Sequence, residues 1–219
     1  MKFNEETMSV LKSFSGINPG LIFKPGNNIR TMSPQKTVIA SAVVEETFET
    51  NAAVYDLSRF LASVSLFESP DIKFGKDRFT IADKQSSISY TFAAENMVIA
   101  PPVDDIDEFE NPIAVVDVAW DDIQNVIRAA GILQLPEIAF TSTGNGVIML
   151  AAVDAQNPTA DRFDVTIADD GTDAVFNMII KVDNLKLLPA NYKVSLSDQG
   201  VAHFKSTKVQ YWIALSAKS

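Results

Sequence analysis

The segment SVLKSFSGI (9–17) recurs in altered form as NVIRAAGI (125–132), in the second half of the chain. Each copy places one cation, Lys12 or Arg128, among apolar and small residues and shortly before a glycine. Both copies have the pattern of a helix that ends at that glycine. A chain that contains the same helix ending twice carries an internal repeat, and internal repeats determine the fold prediction.

The bulk composition is that of an ordinary globular protein. The chain has 219 residues, of which 47% are hydrophobic, and this length suffices for two domains of about 110 residues. No apolar run approaches the roughly 18 residues of a membrane span. Glu5 and Glu6 stand where a signal peptide needs apolar residues. The chain has no cysteine, which excludes a disulfide framework and thiol catalysis. We therefore expect a cytoplasmic protein that does not contact a membrane.

The formal net charge of −10 bears on the partners. As a bulk property it disfavours non-specific coating of nucleic acid, because the phosphates would be repelled. It does not exclude nucleic acid if the acids and bases occupy different faces of the molecule.

Helical periodicity appears in four short segments. The predicted helices cover residues 4–14, 56–67, 120–133 and 183–188, the last ended by Pro189. Each carries a lone base, respectively Lys12, Arg59, Arg128 and Lys186. On a helical wheel, Lys12 and Arg128 project about 140–150° away from the centre of the apolar stripe.

Most of the remaining chain alternates between apolar and polar residues, as half-buried antiparallel strands do. The clearest strands are residues 78–82, 87–93, 146–153, 162–168 and 209–217. Turn signals rich in Gly, Asn and Asp separate them.

The two halves share one order of elements. Each has a helix, strands and a second helix, in which Asp56 and Arg59 match Asp183 and Lys186. Each ends on an aromatic strand, SYTFAA (89–94) or YWIALSA (211–217). We predict domains at 1–100 and 113–219, joined by an acidic connector at 101–112.

Four stretches resemble the sliding clamps, or DNA polymerase processivity factors, of T4-type bacteriophages. They are MKFNEETMSVLKSFSGINPGLIFKPG (1–26), AAVYDLSRFLASVSLF (52–67), FNMIIKVDNLKLLPANYKVSL (176–196) and the aromatic C-terminal strand. The similarity extends over essentially the whole chain. It rests on repeated local similarity and the two-half layout, since no compact chemical motif carries it.

The resemblance implies an α+β fold with two similar clamp-type domains per chain. In this family three subunits close edge to edge into a ring, with antiparallel sheets outside and twelve helices lining a hole for duplex DNA. The implied partners are duplex DNA, two further copies of the chain, the C-terminal tail of the DNA polymerase, an ATP-driven clamp loader and late-transcription factors. The clamp itself is not an enzyme and needs no cofactor.

The repeat and the resemblance together indicate a DNA-facing set. Lone bases on a ring lining tolerate phosphates without gripping them, while an acidic exterior repels DNA from other surfaces. The predicted DNA-facing residues are Lys12, Arg59, Arg128 and Lys186, with Lys2 and Lys181 as further members.

A second site follows from the resemblance, because clamps receive a short hydrophobic tail from their partners near the domain junction. Aromatic and methionine side chains suit such a pocket. The candidates are Met32, Val38, Val103, Ile106, Phe109, Tyr192, Trp212 and Ala214. Trp212 lies in an alternating strand, so a plain core role is an equal alternative for it.

The sequence contains few residues that could form a catalytic or metal-binding site. His203 is the only histidine, so a Ser-His or His-metal arrangement has no second member, and we expect a structural or surface role. Asp121-Asp122 reads as the start of a helix and Asp169-Asp170-Gly171 as a turn. No metal site and no catalytic residue are predicted.

Two rival interpretations remain at this stage. One is a trimeric, β-rich virion structural or adhesion module with no role on DNA. The other is a small hydrolase that uses acid pairs. The four matched bases argue against the first, and the missing catalytic constellation argues against the second.

Overall fold

The structure, a computed structural model, describes residues 1–102, 106 and 109–216 of the chain. It contains two compact units, Met1–Asp104 and Asp105–Ser219. Three α-helices are present in the described part: α1 (Glu5–Ser15), α2 (Leu57–Val64) and α3 (Trp120–Leu133). Two 3-10 turns lie at Glu95–Met97 and Val182–Asn184.

Strands β1 to β7 belong to the first unit. They are β1 (Leu21–Phe23), β2 (Gly26–Met32), β3 (Val38–Phe48), β4 (Ala52–Val54), β5 (Asp71–Phe74), β6 (Arg78–Ala82) and β7 (Ser87–Thr91). Here β1 pairs with β4, β2 forms a hairpin with β3, and β5, β6 and β7 form an antiparallel sheet in that order. β7 therefore lies at a sheet edge.

Strands β8 to β15 belong to the second unit. They are β8 (Ala114–Val118), β9 (Glu137–Thr143), β10 (Ile148–Val153), β11 (Phe163–Ala168), β12 (Val175–Lys181), β13 (Tyr192–Ser197), β14 (Val201–Lys205) and β15 (Val209–Ala214). One antiparallel sheet has the order β11-β10-β9-β12, and its edge strand β11 is partly exposed. In the other, β8, β13, β14 and β15 pair in that order.

Helix α1 is fixed at its N-terminus by side-chain caps. The Asn4 Oδ1 atom accepts from the Thr7 backbone N–H at 2.7 Å. The carboxylate of Glu46, on β3, accepts from the Asn4 N–H at 2.7 Å and from the Thr7 hydroxyl at 2.5 Å. These contacts satisfy donors that a helix start leaves free, and the negative charge suits the positive end of the helix dipole.

An aromatic cluster forms the core of the first unit. Phe23 lies 4.9 Å from Phe48 between ring centroids, and Phe60 lies 4.8 Å from Phe79. Phe60 is on α2, so the cluster holds that helix against β6. All four apolar residues predicted to form the buried stripe of α2, namely Leu57, Phe60, Leu61 and Val64, are buried.

The core of the second unit lies between its two sheets. The ring centroids of Phe140 on β9 and Phe204 on β14 are 6.0 Å apart. Those of Tyr192 and Tyr211 are also separated by 6.0 Å. Helix α3 packs on β9, β10 and β11 through Ile123, Val126 and Ala130.

The α+β class with few helices and antiparallel sheets is confirmed. The five strands predicted from alternation are present as β6, β7, β10, β11 and β15, with ends that differ by a few residues.

The prediction of a fourth helix at 183–188 is wrong. Leu185 and Leu187 are buried while Lys186 between them is exposed, which is the alternation of an extended segment. The hydroxyl of Tyr211 accepts from the Leu188 N–H at 3.0 Å, and the hydroxyl of Tyr192 donates to the Leu188 carbonyl at 2.6 Å. These hydrogen bonds use the backbone groups that a helix would need.

The glycine of the repeated helix ending also differs from the expectation. Gly131 lies inside α3, and the left-handed residue that caps the helix is Gln134, with φ of 56°. Gly16 follows α1 in a right-handed conformation. The repeated glycines therefore do not supply left-handed helix caps.

Candidate nucleic-acid interface and docking surface

Two of the predicted bases of the first unit share one cleft. Lys12 is exposed in the last turn of α1, whose opposite side buries Val10, Leu11 and Phe14. Lys2 lines the same cleft, which has a volume of about 380 Å³, and its Nζ atom donates to the Ser69 hydroxyl at 3.0 Å. The ammonium and hydroxyl donors of this cleft are suited to phosphate oxygens, but the carboxylates of Glu5 and Glu68 line the same cleft.

Arg59 lies exposed on α2, one turn after the N-cap. The Asp56 Oδ1 atom accepts from the Arg59 backbone N–H at 2.8 Å. The Arg59 side chain lines a second cleft, of about 440 Å³, together with Tyr55 and Tyr90. Partial burial raises the pKa of the Tyr90 hydroxyl above its ordinary value. Its hydroxyl donates to the Asp56 carbonyl at 3.1 Å.

Arg128 is the base of α3. Its Nη2 atom donates to the Gln124 Oε1 atom at 3.0 Å, a pairing of residues four apart on the exposed face of the helix. The opposite face buries Ile123 and Val126. Arg128 therefore projects away from the core, as the helical wheel predicts.

The two remaining bases lie outside the α-helices. Lys181 is exposed at the end of β12, and Lys186 is exposed in the extended segment after the 3-10 turn. Lys186 points away from the core because its neighbours Leu185 and Leu187 point inward. The exposure of all six bases is compatible with DNA contact, and their DNA-facing role stays a prediction.

Part of the predicted docking set comes together on the sheet formed by β8, β13, β14 and β15. On its face away from the core, His203 and Trp212 are cross-strand partners whose rings stack at 4.7 Å with 9° between their planes. The ring of Phe109 meets His203 edge-on at 6.1 Å. Ala214 follows Trp212 on the same face, since alternate residues of a strand share a side.

Two buried polar groups belong to this stack. His203 is 2% exposed and its Nε2 atom lies 2.9 Å from the Gln210 Oε1 atom. Trp212 is 8% exposed, and its indole N–H has no hydrogen-bond partner among the residues that the structure describes. The sequence did not predict that the His203 ring lies in contact with both Phe109 and Trp212. The alternation of Ala202, His203 and Phe204 could have placed it on the outer face.

The other predicted docking residues are Tyr192, Met32, Val38, Ile106 and Val103. Tyr192 is on the core face of its sheet, where burial raises the pKa of its hydroxyl, so the structure does not bring it to the face of Trp212. Met32 and Val38 are buried in the β2–β3 hairpin, and Ile106 is half-buried. Val103 lies outside the described residues.

Within residues 1–102, 106 and 109–216, no group of three or more His, Asp or Glu side chains is placed to hold a metal ion. In the same part of the chain, no helix is long and apolar enough to cross a membrane.

The fold is that of DNA clamps. Proliferating cell nuclear antigen (PCNA) from Thermococcus kodakaraensis aligns with a TM-score of 0.70 over 99% of both chains, at 15% sequence identity. A structure of the C-terminal region of FEN-1 bound to A. fulgidus PCNA also has a TM-score of 0.70, covers 97% of this chain and 95% of that one, and has 15% identity.

Sequence comparison narrows the class to a family. Residues 4–100 match the family described as DNA polymerase processivity factor, and residues 115–217 match that described as gp45 sliding clamp, C terminal. The sliding clamp of Vibrio phage KVP40 is 30% identical over 99% of this chain and 100% of its own length. That of Enterobacteria phage T4 is 31% identical over 100% and 98%. The chain belongs to the sliding clamp family of T4-type bacteriophages, whose members are processivity factors for DNA polymerase. This membership disfavours the virion-module alternative.

Proposed function

We propose that three copies of this chain close into a ring around duplex DNA and tether the replicative DNA polymerase to its template. Residues 1–100 and 113–219 form the two clamp domains, joined by the connector 101–112, so three copies supply six similar units. The chain acts without catalysing a reaction, in the cytoplasm of the infected host cell. A clamp loader ATPase opens the ring, and late-transcription factors use the same clamp.

The sheet edges support ring closure. β7 lies at the edge of one sheet in the first unit, and β11 lies at the edge of another in the second. Each presents half-buried apolar residues, Ile88 and Tyr90 on β7, and Val165 and Ile167 on β11. Unpaired edges are open to pairing with another chain. Pairing of β7 with β11 of the next copy is head to tail, and such contacts form a ring when the rotation closes.

The charges around the two edges differ. Lys76 and Lys84 lie in the turns before and after β6, next to Asp77 and Asp83. Around β11 the acids Asp161, Asp164, Asp169 and Asp170 outnumber the single base Arg162. Opposite charges on two surfaces increase the rate of association and disfavour wrong registers. The same charges would repel a contact between two β11 edges, which favours the head-to-tail arrangement.

The exposed bases suit the inner surface of such a ring. A closed ring cannot leave a circular duplex however weak each contact is, so the lining needs only enough positive charge to accept phosphates. With three α-helices in the described part of each chain, three copies supply nine helices, and not the twelve that the resemblance implies. Extended segments that carry Lys181 and Lys186 take the place of the missing helix.

The outer face around Trp212 is proposed as the docking site for the polymerase tail. Phe109 of the connector is the half-buried member of the stack, while His203 and Trp212 are nearly buried. The tail would therefore contact Phe109 first, and apolar anchors commonly carry the affinity of such contacts. In the related fold of A. fulgidus PCNA, the bound partner is the C-terminal region of FEN-1.

Chemical cross-linking tests the ring. The chain lacks cysteine, so Ser89→Cys on β7 and Thr166→Cys on β11 would carry its only thiols. With a short bismaleimide, the double variant should give covalent dimers and trimers on a denaturing gel and nothing larger. A mixture of the two single variants should stop at dimers. A ladder beyond three copies, or monomer alone, would contradict the proposal.

A further inference from the structure

A cleft opens in the first unit where the start of α2 lies beside the end of β7. The cleft has a volume of about 440 Å³, and Tyr90 and Phe92 form part of its wall. Two large apolar residues of its lining, Tyr55 and Met97, are each 61% exposed to solvent. Apolar side chains that are exposed next to one another indicate a contact surface.

The same cleft is lined by one base, Arg59, and one acid, Asp56. The Asp56 carboxylate caps α2 by accepting from the Arg59 backbone N–H, and the Arg59 carbonyl accepts from the Ser63 hydroxyl at 2.9 Å. Within the described residues, the guanidinium group of Arg59 itself forms no hydrogen bond and no ion pair. Its donors are therefore available to a carboxylate from another molecule.

The free edge of β7 ends at this cleft. The Phe92 N–H donates to the Asp77 carbonyl at 2.9 Å, on the side of β6. Backbone groups along an antiparallel strand alternate in direction, so the odd-numbered residues of 87–91 direct theirs to the edge. At the next odd position, the Ala93 N–H donates to the Ala53 carbonyl of β4 at 2.8 Å. A strand that pairs with this edge must therefore leave it where β4 begins to occupy it.

The apolar residues of the two edges select one register for the pairing of β7 with β11. In an antiparallel pairing that sets Ile88 against Ile167, Tyr90 stands against Val165, and all four residues are half-buried. The open edge of β7 is then matched over its whole length to residues 164–168. A shift by one residue would set these apolar side chains against polar ones.

This register brings the start of β11 to the cleft. Phe163, the first residue of β11, falls just beyond the open edge and opposite Phe92, and it is 36% exposed. Asp161 is exposed two residues earlier, roughly 7 Å along an extended chain. The Arg162 guanidinium is already paired with Asp164 at 2.7 Å, whereas Asp161 forms no ion pair within the described residues.

We infer that this cleft receives the start of β11 from a second copy of the chain. The Phe163 ring of that copy packs beside Phe92 and Met97. Its Asp161 carboxylate pairs with the Arg59 guanidinium. The inference rests on the ring proposed above and adds to it a register and two contacts that hold one subunit to the next. Arginine has five N–H donors, so this ion pair is compatible with the phosphate contact proposed for Arg59.

A charge swap tests the ion pair, with sedimentation velocity over a dilution series of the full chain as the measurement. Arg59→Asp and Asp161→Arg should each weaken self-association about tenfold or more, because each sets like charges against one another. The double variant Arg59→Asp/Asp161→Arg should recover most of this loss, which a misfolded chain would not do. Unchanged association in both single variants, or no recovery in the double variant, would overturn the inference.

The aromatic anchor is tested by Phe163→Ala, which should also weaken self-association about tenfold. The matched control is Val175→Ala, at a residue of β12 in the same unit that is 77% exposed, and it should associate as the wild type does. A wild-type trimer that Phe163→Ala leaves unchanged would overturn the inference while the ring proposal stands. A wild type that stays monomeric at every concentration would refute both. Weaker retention on DNA in Arg59→Asp, with self-association unchanged, would assign Arg59 to DNA alone and also overturn the inference.

Discussion

The hydroxyl of Tyr90 donates a hydrogen bond to the carbonyl oxygen of Asp56 at 3.1 Å, and so joins the edge strand β7 to the N-terminus of α2. The Asp56 carboxylate in turn caps the backbone N–H of Arg59. One short chain of contacts therefore connects the edge proposed to close the ring with a base proposed to face DNA. A change at the edge strand can alter the position of that base.

Replacing Tyr90 with Phe removes this hydrogen bond and keeps the ring contacts with Phe60 and Phe79. We expect a loss of about 0.5–1 kcal/mol in the free energy of unfolding, at the low end for a hydrogen bond because water reaches the site. Urea denaturation at pH 7 measures it. A loss above about 3 kcal/mol would mean that the ring packing had changed as well.

The same variant has a signature at alkaline pH. The raised pKa of Tyr90 means that the folded chain holds this proton at a pH where the unfolded chain releases it. The associated stability is complete below the ordinary value of 10.0 and is lost as pH rises through the folded pKa. The stability difference between wild type and Tyr90→Phe should therefore shrink or reverse above pH 10. A constant difference across that range would contradict the burial of this hydroxyl.

Neutralising Lys12, Arg59, Arg128 and Lys186 together to Ala should shorten polymerase products made with the loader present. The slope of log affinity for DNA against log salt concentration should also become shallower, by about one for each phosphate contact that is lost. The control replaces Lys24, Lys36 and Lys208, which are exposed and lie outside both the proposed lining and the edges proposed to close the ring. Unchanged product length and salt sensitivity would refute the assignment of the four bases.

Replacing Phe109 with Ala should weaken binding of the polymerase tail peptide about tenfold, or about 1.4 kcal/mol, because it removes one aromatic wall beside His203. Fluorescence anisotropy with a labelled peptide measures the affinity. Tyr55→Ala, at an exposed aromatic residue of the first unit, serves as the control. Equal affinity in both variants would remove the connector from the docking site.

Two substitutions at the end of α3 should stabilise the second unit. Gly131 lies in the helix with open space where a Cβ would stand, so Gly131→Ala should add about 0.5–1 kcal/mol. Gln134→Gly should add a similar amount by relieving the left-handed conformation. Gly200→Ala, at φ of +81°, should instead lower the free energy of unfolding. A destabilised Gly131→Ala would mean that this glycine has a contact in the assembled ring.

Sequence patterns predicted those parts of the fold that depend on local periodicity. The apolar stripe of α2 and the alternation of β6 follow directly from residue spacing. The segment after β12 could not be predicted in this way, because two distant tyrosines, Tyr192 and Tyr211, hold Leu188 in a non-helical backbone. The stack of Phe109, His203 and Trp212 likewise depends on strand pairing, which a single sequence does not specify.

Encirclement is the central claim, and retention on DNA tests it most directly. The clamp is loaded onto a nicked circular plasmid, separated from free protein by gel filtration at raised salt, and examined before and after the plasmid is cut once. Topological linkage predicts that the protein stays with the circle and leaves when the DNA is made linear. Equal retention on circular and linear DNA, or no retention on either with an active loader, would contradict the account.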